Sequence, residues 1–134
     1  MKDKKSIIDT YSTIYYVDIV VANKYVTLEE LKELYTYCDG NELDEAITST
    51  ECTTSKCIRK VDNKNVLLVK YNYESCIKSL DKHVEFINTV AHEAGHCVLD
   101  IYDHMQQSVC NCSPEPFCYL LGYIAECIYK TLKK

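Results

Sequence analysis

His92, Glu93 and His96 stand in the pattern His-Glu-x-x-His inside the apolar-flanked run VAHEAGHCVL. On an α-helix, positions i and i+4 stack on one face about 6 Å apart in rise, so both imidazoles can hold one Zn²⁺ from the same side. Glu93 is rotated about 100° from His92, which directs its carboxylate at a metal-bound water and away from a ligand position. Two neutral ligands, and a base beside a water whose pKa the metal lowers, are what hydrolysis requires. The apolar flanks Val90-Ala91 and Cys97-Val98-Leu99 place the motif on a half-buried helix.

A catalytic zinc keeps three protein ligands and one open position. The residue six beyond His96 is Tyr102, which excludes the third histidine of metzincins. Glu115, 19 residues beyond His96, opens a new helix and is the preferred third ligand, with Glu126 on the same helix as the competitor. A ligand near a helix start, beside a turn, meets the metal more easily than one deep along it. Tyr119 lies four after Glu115, where its hydroxyl can donate to a developing oxyanion or pack in the core, and Tyr123 follows on that face. Asp100 and Asp103 are candidates to orient a ligand imidazole, against a solvated helix face as the alternative. His104 reads as a residue complementing the helix C-terminus, and His83 as exposed. Gly95 costs a helix about 1 kcal/mol relative to Ala, which suggests a close approach by a strand or substrate. A second metal site from Cys52, Cys57, Cys110 and Cys112 has spacings that match a zinc ribbon or finger poorly.

Thr13 to Ala22 (TIYYVDIVVA) is β-branched and aromatic, hence a strand. Thr27-Leu28-Glu29-Glu30 is a capping box opening a helix with Leu28, Leu31, Leu34 and Tyr35 on one face, ending near Asp39-Gly40. From Glu42 to Cys57 the chain is polar and Thr-rich with weak alternation. Cys57 to Val61 and Asn65 to Tyr71 form a hairpin across Asp62-Asn63-Lys64. Helical periodicity begins near Leu80, with Val84, Ile87, Val90, Ala91, Ala94, Val98, Ile101 and Met105 on a broad face. A polar, Cys-containing loop from Gln106 to Pro114 leads to a second helix from Glu115 through Leu120, Ile124 and Ile128, with Pro116 tolerated in its first turn. This order predicts an α+β domain spanning residues 1–134, with a small antiparallel or mixed sheet packed on the motif helix and the C-terminal helix.

The chain has 134 residues, 47% hydrophobic and 26% charged, enough for one modest core. A net charge of −5, with lysines gathered at Lys2, Lys4, Lys5 and at Lys130, Lys133, Lys134, argues against a nucleic-acid partner. No apolar run approaches the roughly 18 residues of a membrane span. The stretch after Lys5 imitates a secretory leader, but Asp9, Thr10, Ser12 and Asp18 interrupt it. Nine cysteines form an odd set, better read as free thiols in a reducing cytoplasm than as a disulfide scaffold. Cys97, Cys118 and Cys127 lie in apolar helical stretches and read as small hydrophobes.

The blocks AHEAGHCVLDIYDHM and EPFCYLLGYIAECIY, with YYVDIVVANKYVTLEELKELYTYCDGNELDEAI, resemble a group of small phage-encoded and phage-like bacterial proteins. Those carry an H-E-A-x-H helix and a downstream E-x-F-A-Y-L-x-G-Y helix, and the group is described as zinc metallopeptidases similar to minimal gluzincins. Cys118 stands where the group has alanine, and Gly95 where a bulkier residue is usual. The resemblance implies a zincin-like fold, Zn²⁺ bound by His92, His96 and Glu115, Glu93 as the base, and a peptide or protein substrate. A phage protein that uses zinc only to stabilise its fold, and binds and blocks a host factor, is the rival expectation.

Overall fold

The structure, a computed structural model, describes residues 5–72 and 80–134, except for the side chains of residues 80–82. Lys2 and Lys4 of the N-terminal lysine group lie outside the described residues. In chain order the elements are β1 (Ile8–Tyr11), β2 (Asp18–Ala22), α1 (Leu28–Leu34), β3 (Tyr35–Tyr37), a 3-10 turn at Glu45–Ile47, β4 (Cys52–Arg59), β5 (Lys64–Tyr71), α2 (Leu80–His104) and α3 (Glu115–Leu132). The strands form one five-stranded sheet in the order β1-β2-β5-β4-β3. Only β2 and β5 run parallel; β1–β2, β5–β4 and β4–β3 are antiparallel. The expected α+β class with a mixed sheet is observed.

The two central strands explain why the sheet is covered on both faces. Successive side chains of a strand point to opposite faces, and every residue of β2 is buried. Ile19 and Val21, with Leu67, Val69 and Tyr71 of β5, pack under α2 and α3. Val20 and Ala22, with Val66 and Leu68, face Leu31, Tyr35, Leu43 and Ile47 on the other side. A parallel pair needs a crossover, and α1, β3 and β4 supply it between β2 and β5.

Burial of polar groups at the sheet is paired. Asp18, buried at the start of β2, accepts from Arg59 at 3.1 Å and Lys64 at 2.9 Å, closing the base of the β4–β5 hairpin. Lys70 is fully buried and donates to the carbonyls of Asn23 (3.0 Å) and Tyr71 (2.9 Å). Burial pushes its ammonium down to about 8. At the sheet edge, Thr131 of α3 donates to Asp9 of β1 at 2.8 Å and shares a 2.7 Å hydrogen bond with Tyr11.

Several expectations change in detail. The strand expected over Thr13 to Ala22 begins only at Asp18, because residues 14–16 turn and Tyr16 adopts a positive φ of 62°. The first helix stops at Leu34: Thr27 caps Glu30 N–H as the capping box implies, but Tyr35 is already extended and pairs with Arg59. Register with β4 replaces a helical turn there, since Tyr-Thr-Tyr suits a strand and finds an open edge. The hairpin is longer on its first arm, from Cys52, and β1 was not anticipated. In α2 the buried face is Phe86, Val90, Ala94, Cys97, Val98 and Ile101, whereas Val84, Ile87 and Ala91 are exposed. Cys97 and Cys127 are buried as small hydrophobes, but Cys118 is exposed. His83 is half-buried, not exposed.

Candidate functional site

α2 packs its buried face on the sheet beside β4 and α3, which leaves His92 and His96 on its outer side, both exposed. Their Nε2 atoms stand 3.0 Å apart, with rings at an interplanar angle of 78°. Two nitrogens bound tetrahedrally to zinc at about 2.0–2.1 Å lie about 3.3 Å from each other. At 3.0 Å the two nitrogens share a hydrogen bond, a few tenths of an ångström closer than one zinc ion would hold them.

Glu93 takes the intermediate direction that one residue of helix rotation requires. It is buried, 5% exposed, and turned toward β4, where the Thr54 hydroxyl donates to its Oε2. Along β4 the alternation places Cys52, Thr54 and Lys56 on the α2 side. Cys52 packs against the core beneath α2, Thr54 meets Glu93, and Lys56 pairs with Asp103 at 3.2 Å and Asp100 at 3.9 Å. A cleft of about 290 Å³ lies on this seam, lined by Thr50, Glu51, Cys52, Asn88, Thr89, His92 and Glu93. Burial pushes the thiol of Cys52 up, and the negative charge of Glu93 adds to the effect, so this cleft wall is an uncharged thiol at neutral pH.

Along β4, β3 pairs with Cys57, Ile58 and Arg59. The Lys56 carbonyl accepts from Cys38 N–H at 3.2 Å, so Lys56 directs its backbone outward, and two residues back Thr54 does the same. Among the described residues no strand lies alongside Thr54 on that side.

Other expected site residues fall elsewhere. The rings of Tyr102 and Phe117 pack edge to face at 5.6 Å, which sets α3 level with α2 in antiparallel register. Glu115 then lies level with the end of α2, eight residues past His96, or about 12 Å along the axis. By the same contact Glu126 lies level with Glu93, where it is exposed and pairs with Lys130 at 2.9 Å. Among the described residues no three His, Cys, Asp or Glu side chains converge to hold a metal ion. Tyr119 is exposed, so core packing does not account for it, and Tyr123 donates to the Ser12 carbonyl at 2.8 Å. Asp100 is close enough to feel His96: burial raises its carboxyl, and the charges of Lys56 and His96 only partly oppose this. Asp103 is engaged by Lys56.

Two expectations are corrected. A Cβ at Gly95 would meet nothing within 4 Å, so among the described residues no strand or side chain approaches there. The four-cysteine metal site does not assemble: Cys52 faces the core under α2, while Cys57 is buried in the core on the opposite face of the sheet. Thr54 was not anticipated. A polar residue facing the motif helix from a strand of weak alternation was the only trace of it.

Comparison of the chain with protein-family models, with curated proteins and with solved structures finds no match.

Proposed function

We propose that this protein is a zinc-dependent hydrolase that cleaves peptide bonds. The observation that carries the reading is the convergence of the His92 and His96 Nε2 atoms, 3.0 Å apart, with Glu93 and His92 lining one cleft. Imidazole pairs of this spacing suit zinc, and α3 would have to bring in the third ligand: Glu115 by the resemblance, or Glu126 by its level along α2. Zinc bound there would supply a water of pKa near 7 and polarise the scissile carbonyl.

The chain's own groups would do the rest. Glu93 takes a proton from the attacking water as its hydroxyl adds to the carbonyl carbon. It delivers that proton to the nitrogen of the leaving amine as the C–N bond breaks. The outward backbone N–H and C=O of Thr54 would align an extended peptide as an added strand beside the cleft. Tyr119 is retained as a candidate oxyanion donor that must swing toward the cleft. Among the described residues no helix is long and apolar enough to cross a membrane. The described cysteines, all unpaired, support a reducing, cytoplasmic setting for the hydrolase, in a bacterial host if the phage resemblance holds.

The test is zinc content of metal-replete protein. One zinc per chain is expected, lost in His92→Ala; zinc stoichiometry that survives His92→Ala defeats the ligand assignment. Glu93→Gln should keep zinc and fold while abolishing hydrolysis of a fluorogenic peptide library. A biological effect that persists in Glu93→Gln would instead identify a zinc-stabilised protein that acts by binding a host factor.

A further inference from the structure

Glu93 is the one acid of the motif, and its surroundings on the β4 side are specific. The carboxylate is buried between α2 and the sheet, with the thiols of Cys52 and Cys97 close enough to sense its charge. The Thr54 hydroxyl donates to Oε2 across 39 residues of sequence, and it also interacts with the Cys97 thiol one helical turn on from Glu93. Thr54 itself cannot drift, because the hydrogen-bonded ladder of β4 holds its backbone opposite Val69 of β5.

An ionised carboxylate is an acceptor at both oxygens. A hydroxyl bond at Oε2 restrains rotation of the carboxylate and leaves Oε1 to take a proton. A general base must sit within hydrogen-bond reach of the proton it removes, and small misplacements of such groups cost large factors in rate. A strand-borne hydroxyl is well suited to hold it, because groups carried on strands and helices are placed more precisely than groups carried on loops.

We infer that Thr54 is the positioning residue for Glu93, fixing Oε2 so that Oε1 faces the cleft. This rests on the reading of Glu93 as the general base of a hydrolase. Thr54 makes no contact with a reacting atom through its side chain; it acts through Glu93.

The test uses the full chain in two arms. In metal-free protein, the Thr54 hydroxyl proton is expected to exchange slowly with water and to be visible by NMR, and to lose that protection in Glu93→Ala. A Thr54 hydroxyl that exchanges at the rate of a solvated one overturns the inference whatever the protein hydrolyses. In zinc-loaded protein, Thr54→Val should lower kcat on a fluorogenic peptide library by roughly 10–100-fold with KM little changed. Thr54→Ser should restore most of that loss, which separates the hydroxyl's role from packing if the Val variant folds poorly. Equal kcat in wild type and Thr54→Val overturns the inference alone. A zinc-loaded wild type that cleaves nothing, with the hydroxyl protected, overturns the hydrolase reading and removes the catalytic role of Thr54 with it.

Discussion

The rings of Tyr102 and Phe117 meet edge to face with centroids 5.6 Å apart, and this contact decides which carboxylate of α3 lies level with the histidine pair. A second ring pair, Phe86 with Tyr129 at 5.7 Å, keeps the helices antiparallel at the other end, offset by one helical turn from the first. Between them, Glu126 lies nearer than Glu115 to the level of His92.

Zinc affinity should therefore fall further in Glu126→Ala than in Glu115→Ala. Losing a true ligand should cost more than the roughly 10–100-fold lost with an outer partner. The exposed Glu126–Lys130 pair is no obstacle to recruitment, since helix pairs of this kind contribute only about 0.3–0.5 kcal/mol. Isothermal titration of both variants decides the matter, and the opposite ranking would restore Glu115.

Gly95→Ala should stabilise the protein. The added methyl meets nothing within 4 Å, and alanine in a helix interior gains about 1 kcal/mol over glycine. Thermal unfolding should rise by about 4 °C, with the zinc content of the wild type; a fall in melting temperature would show that a neighbour fills this space.

The core beneath α2 should respond very differently from its outer face. Ile101 and Ile124 are both fully buried in the cluster under the helices, so truncating either to alanine should cost about 2–5 kcal/mol. Leu99 is 53% exposed on the same helix, and Leu99→Ala should change stability by no more than about 0.5 kcal/mol. Urea unfolding of the three variants measures the contrast.

Two buried groups should shift stability in opposite directions at alkaline pH. Burial raises the Cys57 thiol to about 12. The unfolded thiol ionises near 8.5, so its contribution is complete below that pH and is lost as pH climbs toward 12. Burial lowers Lys70 to about 8 against about 10.4 unfolded. The unfolded chain then holds more protons between those values, and the Lys70 contribution rises with pH across that window. Relative to wild type, Cys57→Ala should lose stability less steeply above pH 8.5. Lys70→Met should miss the gain between pH 8 and about 10.4. Denaturant titrations across pH 7–11 test both signs.

Thiol labelling should begin at Cys110. The backbone N–H of Cys112 donates to its Sγ at 3.3 Å, and this bond lowers the pKa of an exposed thiol. Cys57 and Cys97 are buried, and burial pushes both thiols up. Mass mapping after brief iodoacetamide treatment should find Cys110 modified well before either of them; early labelling of Cys97 would contradict the packing under α2.

Local signals sufficed for the long helices and for the motif. The bounds of α3 follow from Glu115-Pro116 and a four-residue apolar repeat, and the i, i+4 spacing of His92 and His96 already puts both imidazoles on one face of a helix. The central strands are legible because burial on both faces leaves a continuous apolar run, DIVVA and NVLLV. What escaped the sequence depends on partners distant along the chain. Tyr35-Thr36-Tyr37 continues a helical stripe locally, yet becomes β3 because the edge of β4 offers its backbone hydrogen bonds. Thr54 looks like one of several threonines until the strand alternation and the seating of α2 bring its hydroxyl to Glu93. The level of Glu115 against His96 is set by ring packing between two helices, which no spacing along one chain specifies. The residue types that can do chemistry were written in the sequence; their separation in space was decided by how α2 and α3 seat on the sheet.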